Sequence, residues 1–221
     1  MTSRLRVGTW NVRGLRGGVT AVASAVRAEE LDLLLVQESG PRRRLRALGD
    51  RLGWIVCTDP WAFPRRRVKN AVLVRTSLVG GVHSRLHRFR RSSLLYPRGA
   101  LIADLDENLT ATSIHLGLAG PERGRHIREF LRLEEVRPGT TILGGDLNAQ
   151  PDQGGPSTLA AWATDCWAAV GEGPGLTFPS DAPTARIDYL FVGRAIRPLR
   201  VWTGGGTISD HLMVAAELEL D

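Results

Sequence analysis

Short apolar runs, each stopped by glycine, proline or a small polar cluster, recur along the whole chain. Arg4–Trp10, Leu31–Val36, Trp54–Cys57, Ala71–Arg75, Leu78–His83, Ala100–Leu105, Leu109–His115, Thr140–Leu143, Ile187–Val192, Ile196–Trp202 and Met213–Leu220 read as strands, several with period two. Helical spacing appears over Val19–Glu30, Pro41–Leu52, Pro121–Glu135 and Ser157–Ala163. The order is strand, helix, strand, helix, and then strands that follow one another directly. Consecutive strands favour antiparallel pairing with helices laid on the outer faces, which predicts an α+β fold. With 221 residues, 43% of them hydrophobic, and no linker or internal repeat, the chain reads as one domain over residues 1–221.

No apolar run approaches a membrane span, and Met1–Arg6 leads into no apolar signal core. The expectation is a cytoplasmic monomer without stable membrane insertion. Cys57 and Cys166 follow no metal-type spacing and are expected to be free, buried thiols. The net charge is +6, and Lys69 is the single lysine. A basic chain suits a polyanionic partner, and arginine suits phosphate in particular.

Five polar clusters stand at the ends of apolar runs: Trp10-Asn11, Gln37-Glu38, His115, Gly145-Asp146-Leu147-Asn148 and Asp210-His211. Arg186-Ile187-Asp188-Tyr189 opens another run. Singly, each is ordinary turn or strand-end chemistry. Together they place oxygen donors (Asn11, Glu38, Asp146, Asn148, Asp210) beside imidazoles and a supporting carboxylate (His115, His211, Asp188). A hard divalent cation takes such oxygen ligands, and a carboxylate bonded to an imidazole fixes its tautomer. Cation plus His–Asp is the equipment for attacking a phosphate ester.

Six segments carry a resemblance to the endonuclease/exonuclease/phosphatase family, in the family's order: Thr9-Trp-Asn-Val-Arg-Gly14, Val36-Gln-Glu38, Ser113-Ile-His-Leu116, Gly144-Gly-Asp-Leu-Asn148, Arg186-Ile-Asp-Tyr189 and Ser209-Asp-His211. The resemblance implies a four-layer α/β/β/α sandwich of two mostly antiparallel sheets. It also implies a phosphoesterase that uses Mg²⁺ or Mn²⁺. By motif, Glu38 would be the main metal ligand, with Asn11 and Asp210 beside it. Asp146 would orient or deprotonate water, Asn148 would hold a phosphate oxygen, and His211 backed by Asp188 would contact the phosphate. His115 matches the histidine of pancreatic-type deoxyribonucleases and neutral sphingomyelinases, and Arg13 departs from the acidic or amide residue usual in abasic-site endonucleases. Arg98 resembles a phosphate-contacting position, and Arg186 is a second candidate substrate contact.

The charge, the arginines at 85, 88, 90, 91 and 98 among His87, Phe89 and Tyr96, and the loop with Trp61, Phe63 and Arg65–Arg67 favour a nucleic-acid substrate. The alternatives are a small-molecule or lipid phosphate, and a catalytically inactive nucleic-acid-binding module on the same fold.

Overall fold

A computed structural model describes residues 3–59, 67–90 and 96–220. The strands are β1 (Ser3–Asn11), β2 (Leu33–Gln37), β3 (Trp54–Thr58), β4 (Ala71–Arg75), β5 (His83–Arg88), β6 (Gly99–Asp104), β7 (Thr110–His115), β8 (Thr141–Asp146), β9 (Thr164–Asp165), β10 (Asp188–Val192), β11 (Ile196–Gly204) and β12 (Met213–Leu220). The helices are α1 (Val19–Ala28), α2 (Arg42–Leu52), α3 (Gly120–Phe130), α4 (Gly154–Trp162) and α5 (Cys166–Val170).

The strands form two six-stranded sheets, ordered β11-β12-β1-β2-β4-β3 and β5-β6-β7-β8-β10-β9. Each sheet has one parallel pair, β1 with β2 and β7 with β8, and every other pairing is antiparallel. A parallel pair needs a crossover, which α1 and α3 supply. The two sheets therefore share one strand arrangement, although β6 and β7 are consecutive in the chain and their counterparts β12 and β1 are not.

Three apolar clusters make the four layers. Val7, Leu33, Leu35, Val72, Leu101, Ile142, Leu190 and Val214 pack between the sheets. Leu34, Val36 and Leu73 turn the other way, toward Val22 and Val26 of α1 and Leu45 and Leu48 of α2. Ile102, Ile114, Leu143 and Phe191 meet Ile127 and Phe130 of α3 and Leu159 of α4. Strand β2 is covered on both faces, which explains its unbroken apolar run. The basic, amphipathic helix α2 likewise spends its leucines on the core, and Gly53 ends it at φ 70°. Both cysteines are free and buried. Among the described residues, no helix is long and apolar enough to cross a membrane.

Three expectations shift. Residues 76–78 form a short 3-10 turn, and the strand expected at Leu78–His83 lies at His83–Arg88, beyond the breaker pair Gly80-Gly81. The arginines expected just before a strand are thus partly on one: Arg85 and Arg88 lie on β5, at the sheet's edge. Helix α3 ends at Phe130 rather than Glu135. The aromatic–arginine loop lies outside the described residues except for Arg67, and Arg91 lies outside them as well.

Candidate active site

Strand register brings the expected polar residues to one end of the sandwich. Strands β1 and β2 run parallel and finish side by side at Asn11 and Gln37. Strands β7 and β8 finish side by side at His115 and Asp146. Strand β10 runs the other way, so its first residue, Asp188, also faces Asp146. Strand β12 starts just after His211, at the same end. Gly144 closes the gap between the sheets: a Cβ there would lie 2.7 Å from Leu35 Cδ1 and from Thr9 Cβ. That bare backbone lets Asn11 of one sheet donate its amide to Asp146 Oδ2 of the other at 3.1 Å. Gln37, by contrast, is a tie between sheets, donating to Thr9 Oγ1 at 3.2 Å and Ser113 Oγ at 3.1 Å.

His211 and Asp188 form a buried pair, with Nδ1 and Oδ2 2.9 Å apart. Thr177 donates its hydroxyl to the same Asp188 oxygen at 2.6 Å, and the Phe178 ring lies 4.8 Å from the imidazole, centroid to centroid. The backbone carbonyl of His211 accepts from the indole of Trp10 at 2.8 Å. Burial pushes His211 down, but the hydrogen bond and charge of Asp188, with Asp146 and Asp210 behind, raise it to about 9. Burial and the charge of Asp146 push Asp188 up, against the pull of its bonds to His211 and Thr177. The imidazole is therefore a donor at neutral pH. Its Nε2 stands 3.9 Å from Asp146 Oδ2, too far for a hydrogen bond, so that N–H is open to a substrate.

Asp146 sits at the centre. Burial alone would push its carboxyl up, but His115, His211 and the Asn11 amide hold it well below the usual carboxylate range. Its Oδ1 accepts the backbone N–H of Asn148 at 3.0 Å, and Asn148 adopts φ 50°, a left-handed conformation that asparagine tolerates. The expected turn chemistry and the expected site residue are one feature. His115 is locked in a chain: Arg98 donates to Nδ1 at 2.9 Å, which leaves the ring N–H on Nε2, 3.3 Å from Asp146 Oδ2. Asn148 Nδ2 approaches the same Nε2 at 3.3 Å but has a better acceptor in the Leu116 carbonyl at 3.1 Å. With both ring nitrogens engaged, His115 positions Asp146, and no nitrogen is left for shuttling a proton. Arg98 reaches the site through His115.

Two groups of residues could hold a cation. Asp146, Asp188 and His211 offer ligand atoms within 4.8 Å of one another. That group is already joined internally by the His211–Asp188 bond, and a protonated imidazole is no ligand. Glu38, Asn11 and Asp210 supply carboxylate and amide oxygens, the donor type that a hard cation takes. Glu38 is half-buried, at φ 48°, and its carboxylate has no hydrogen bond or ion pair among the described residues. Asp210 Oδ2 pairs at 3.2 Å with Arg13, which is more than half exposed and free to leave. A buried-edge carboxylate without a partner fits a cation, since such a charge is otherwise expensive.

Arg186 departs from expectation. Its guanidinium is taken by Asp165 and lies over the Tyr189 ring, 4.7 Å from the centroid. Asp165 also caps α5 by accepting from Trp167 and Ala168. Arg186 is thus a buried tie between α5 and β10 and does not join the cluster. Sequence reasoning missed Thr177, Phe178 and Ser209, whose hydroxyl donates to the Asn11 carbonyl at 2.7 Å. Ser209 lies inside a quoted motif, but Thr177 sits in a Gly/Pro-rich loop that carries no signal of its own.

The sequence matches the profile of the Endonuclease/Exonuclease/phosphatase family over residues 8–211. The chain belongs to that family. Members are phosphoesterases and are generally divalent-metal dependent. No curated protein matches the sequence significantly. Solved structures share the fold at low identity. The family protein from Bacteroides vulgatus has a TM-score of 0.81 at 17% identity, covering 99% of this chain and 100% of that one. The one from Bacteroides thetaiotaomicron has a TM-score of 0.78 at 16% identity, covering 100% and 96%. D. rerio TDP2 complexed with single-strand DNA product has a TM-score of 0.77 at 18% identity, covering 98% and 99%.

Proposed function

We propose that this protein hydrolyses phosphodiester bonds in nucleic acid, with Glu38, Asn11 and Asp210 holding a divalent cation, Mg²⁺ or Mn²⁺. The observation that carries the reading is the open Nε2–H of His211, facing an ionised Asp146 across 3.9 Å in a family of phosphoesterases. When bound, the cation would screen phosphate charge and stabilise the leaving oxygen. Asp146 is the ionised group placed to orient water and accept its proton. His211, held as a donor by Asp188, offers its N–H to a phosphate oxygen as charge develops there. Asn11 and His115 keep Asp146 in place, and Asn148 borders the same spot. These assignments divide acid and base between two groups whose environments push their proton affinities apart.

A polymer substrate is favoured by the rim. Arg13 and Arg16, just beyond β1, and Arg43 and Arg46 of α2 are exposed, and the last three have no carboxylate partner among the described residues. With a net charge of +6, such a rim attracts a phosphate backbone. The TDP2 relative carries single-strand DNA product in its crystal structure, which points the same way. The test is incubation with plasmid, single-stranded DNA and RNA in Mg²⁺, Mn²⁺ or EDTA. At least one polymer should be cut with a cation and none with EDTA. If only bis(p-nitrophenyl) phosphate is hydrolysed, the substrate is not nucleic acid; if nothing is hydrolysed, the chain is a binding module.

A further inference from the structure

Beside the catalytic cluster lies a small cleft of about 60 Å³ lined by Glu38, Arg67, Lys69, Tyr96, Arg98 and His115, among others. It gathers three cations and one carboxylate. Among the described residues none of the three cations has an ion pair with a carboxylate, whereas Arg4, Arg6, Arg13, Arg75, Arg85, Arg88, Arg186 and Arg197 all do. Among the described residues the Arg98 side chain is hydrogen-bonded only to an imidazole nitrogen. Lys69 is exposed, and it is the only lysine in a chain otherwise supplied with arginine.

Arg67 is the unusual member. It is 5% exposed, and among the described residues only its Nη2 has partners, Ser39 Oγ at 2.9 Å and the Gly40 carbonyl at 2.7 Å. Its buried Nε has no hydrogen-bond partner among the described residues. Burial and the nearby charge of Arg42 pull the Arg67 guanidinium down, and Asp59, which already bonds Arg88 at 2.7 Å, restores little. A buried guanidinium left uncompensated is costly unless an anion completes it. The two loops that hold it, at Ser39-Gly40 and at Val68–Asn70, are themselves joined by a backbone bond from Ser39 to Lys69 of 2.9 Å. Arg67 and Lys69 are therefore carried on one braced segment against Glu38.

Building on the phosphodiesterase reading, we infer that this cleft is a second anion subsite, in which Arg67 and Lys69 take a phosphate adjacent to the one being cleaved. The substrate class is thus a phosphodiester that carries a further phosphate close by, as a polynucleotide does and an isolated diester does not. The cleft is small and lined mainly by charged and polar side chains, which suits a compact anion such as a phosphate group. Guanidinium and ammonium donors suit tetrahedral phosphate, the first as a fork and the second as a point charge. Tyr96, 64% exposed at the rim, offers a ring face to the attached nucleoside.

The experiment compares the thymidine dinucleotide dTpdT with pdTpdT and dTpdTp, which add one phosphate at either end. Cleavage is followed with Mn²⁺, and binding of the same three compounds is followed by calorimetry in EDTA. The wild-type protein should prefer one of the two longer compounds over dTpdT by about tenfold or more in both readouts, the scale of one charge-assisted contact. Lys69→Gln should reduce that preference severalfold, and Lys69→Arg should restore it. Arg67→Gln should do the same where it folds. Equal binding and equal cleavage of all three by the wild type overturns the subsite while leaving phosphodiester hydrolysis standing. Preferential binding without any cleavage supports the subsite and sinks the hydrolase. An undiminished preference in both the Lys69→Gln and a folded Arg67→Gln protein removes these two residues from the role.

Discussion

Replacing Asp188 by asparagine keeps the volume of a fully buried side chain but removes the charge that holds His211 as a donor. In the native pair, Oδ2 accepts from the imidazole at 2.9 Å and from Thr177 at 2.6 Å. Burial alone pushes His211 below its ordinary value, and Asp188 supplies the largest opposing effects. Without them the imidazole should fall from about 9 toward its ordinary value near ~6.5, with each unit worth about 1.4 kcal/mol. The imidazolium therefore loses roughly 3 kcal/mol of support, and an asparagine amide also invites the wrong tautomer. Comparable loss of a buried carboxylate behind a catalytic histidine costs about 10²- to 10⁴-fold in turnover. The assay is twofold: imidazole titration by NMR in EDTA, and steady-state hydrolysis of bis(p-nitrophenyl) phosphate with Mn²⁺. A folded Asp188→Asn protein with a His211 titration unchanged near pH 9, or with turnover within threefold of wild type, refutes the reasoning.

The same linkage predicts a stability profile. A raised His211 stabilises the fold fully below its unfolded value near ~6.5 and loses that contribution as pH rises through about 9. Melting temperature in EDTA should accordingly fall over that window in the wild type and much less in His211→Gln. Thr177→Val deletes a 2.6 Å bond to a buried carboxylate whose Oδ1 already lacks a hydrogen-bond partner among the described residues; it should cost about 1–3 kcal/mol in chemical denaturation and lower turnover roughly tenfold. Glu38→Gln should weaken Mn²⁺ binding, read by calorimetry, by at least about tenfold without changing the melting temperature in EDTA. His126 is fully buried and stacked 4.7 Å from Phe89; neither ring nitrogen has a hydrogen-bond partner among the described residues, and the Glu122 carboxylate stands 3.8 Å from Nε2. Burial holds it below the ordinary imidazole value, so the fold should lose stability as pH drops below ~6.5, when the unfolded chain takes up the proton. His126→Phe should remove that acid sensitivity and raise the melting temperature by about 2–4 °C.

Much of the site was readable because its residues stand at strand ends, where a polar residue interrupts an apolar run. Asn11, Glu38, His115, Asp146 and Asp210-His211 announce themselves in that way, and two parallel strand pairs then carry four of those ends to one place. The roles were less readable than the positions. His115 reads as a catalytic imidazole, yet Arg98 and Asp146 occupy both its nitrogens. Arg186 reads as a substrate contact because it neighbours Asp188, yet a strand-to-loop turn sends its guanidinium to Asp165. Thr177 is invisible in sequence because its importance comes from a loop folding back on Asp188. Strand β5 was displaced because its alternating pattern is charged, as befits an edge strand, so the more apolar stretch before it was the stronger signal. Strand β9 and helix α5 are too short to leave a period.

The most direct test of the shared centre is hydrolysis of single-stranded DNA and of bis(p-nitrophenyl) phosphate by wild type, His211→Ala and Asp146→Ala, side by side with Mn²⁺. Each variant should keep its circular dichroism spectrum and lose nearly all activity on both substrates. Wild-type turnover in a folded His211→Ala or Asp146→Ala protein would show that the chemistry happens elsewhere on the chain.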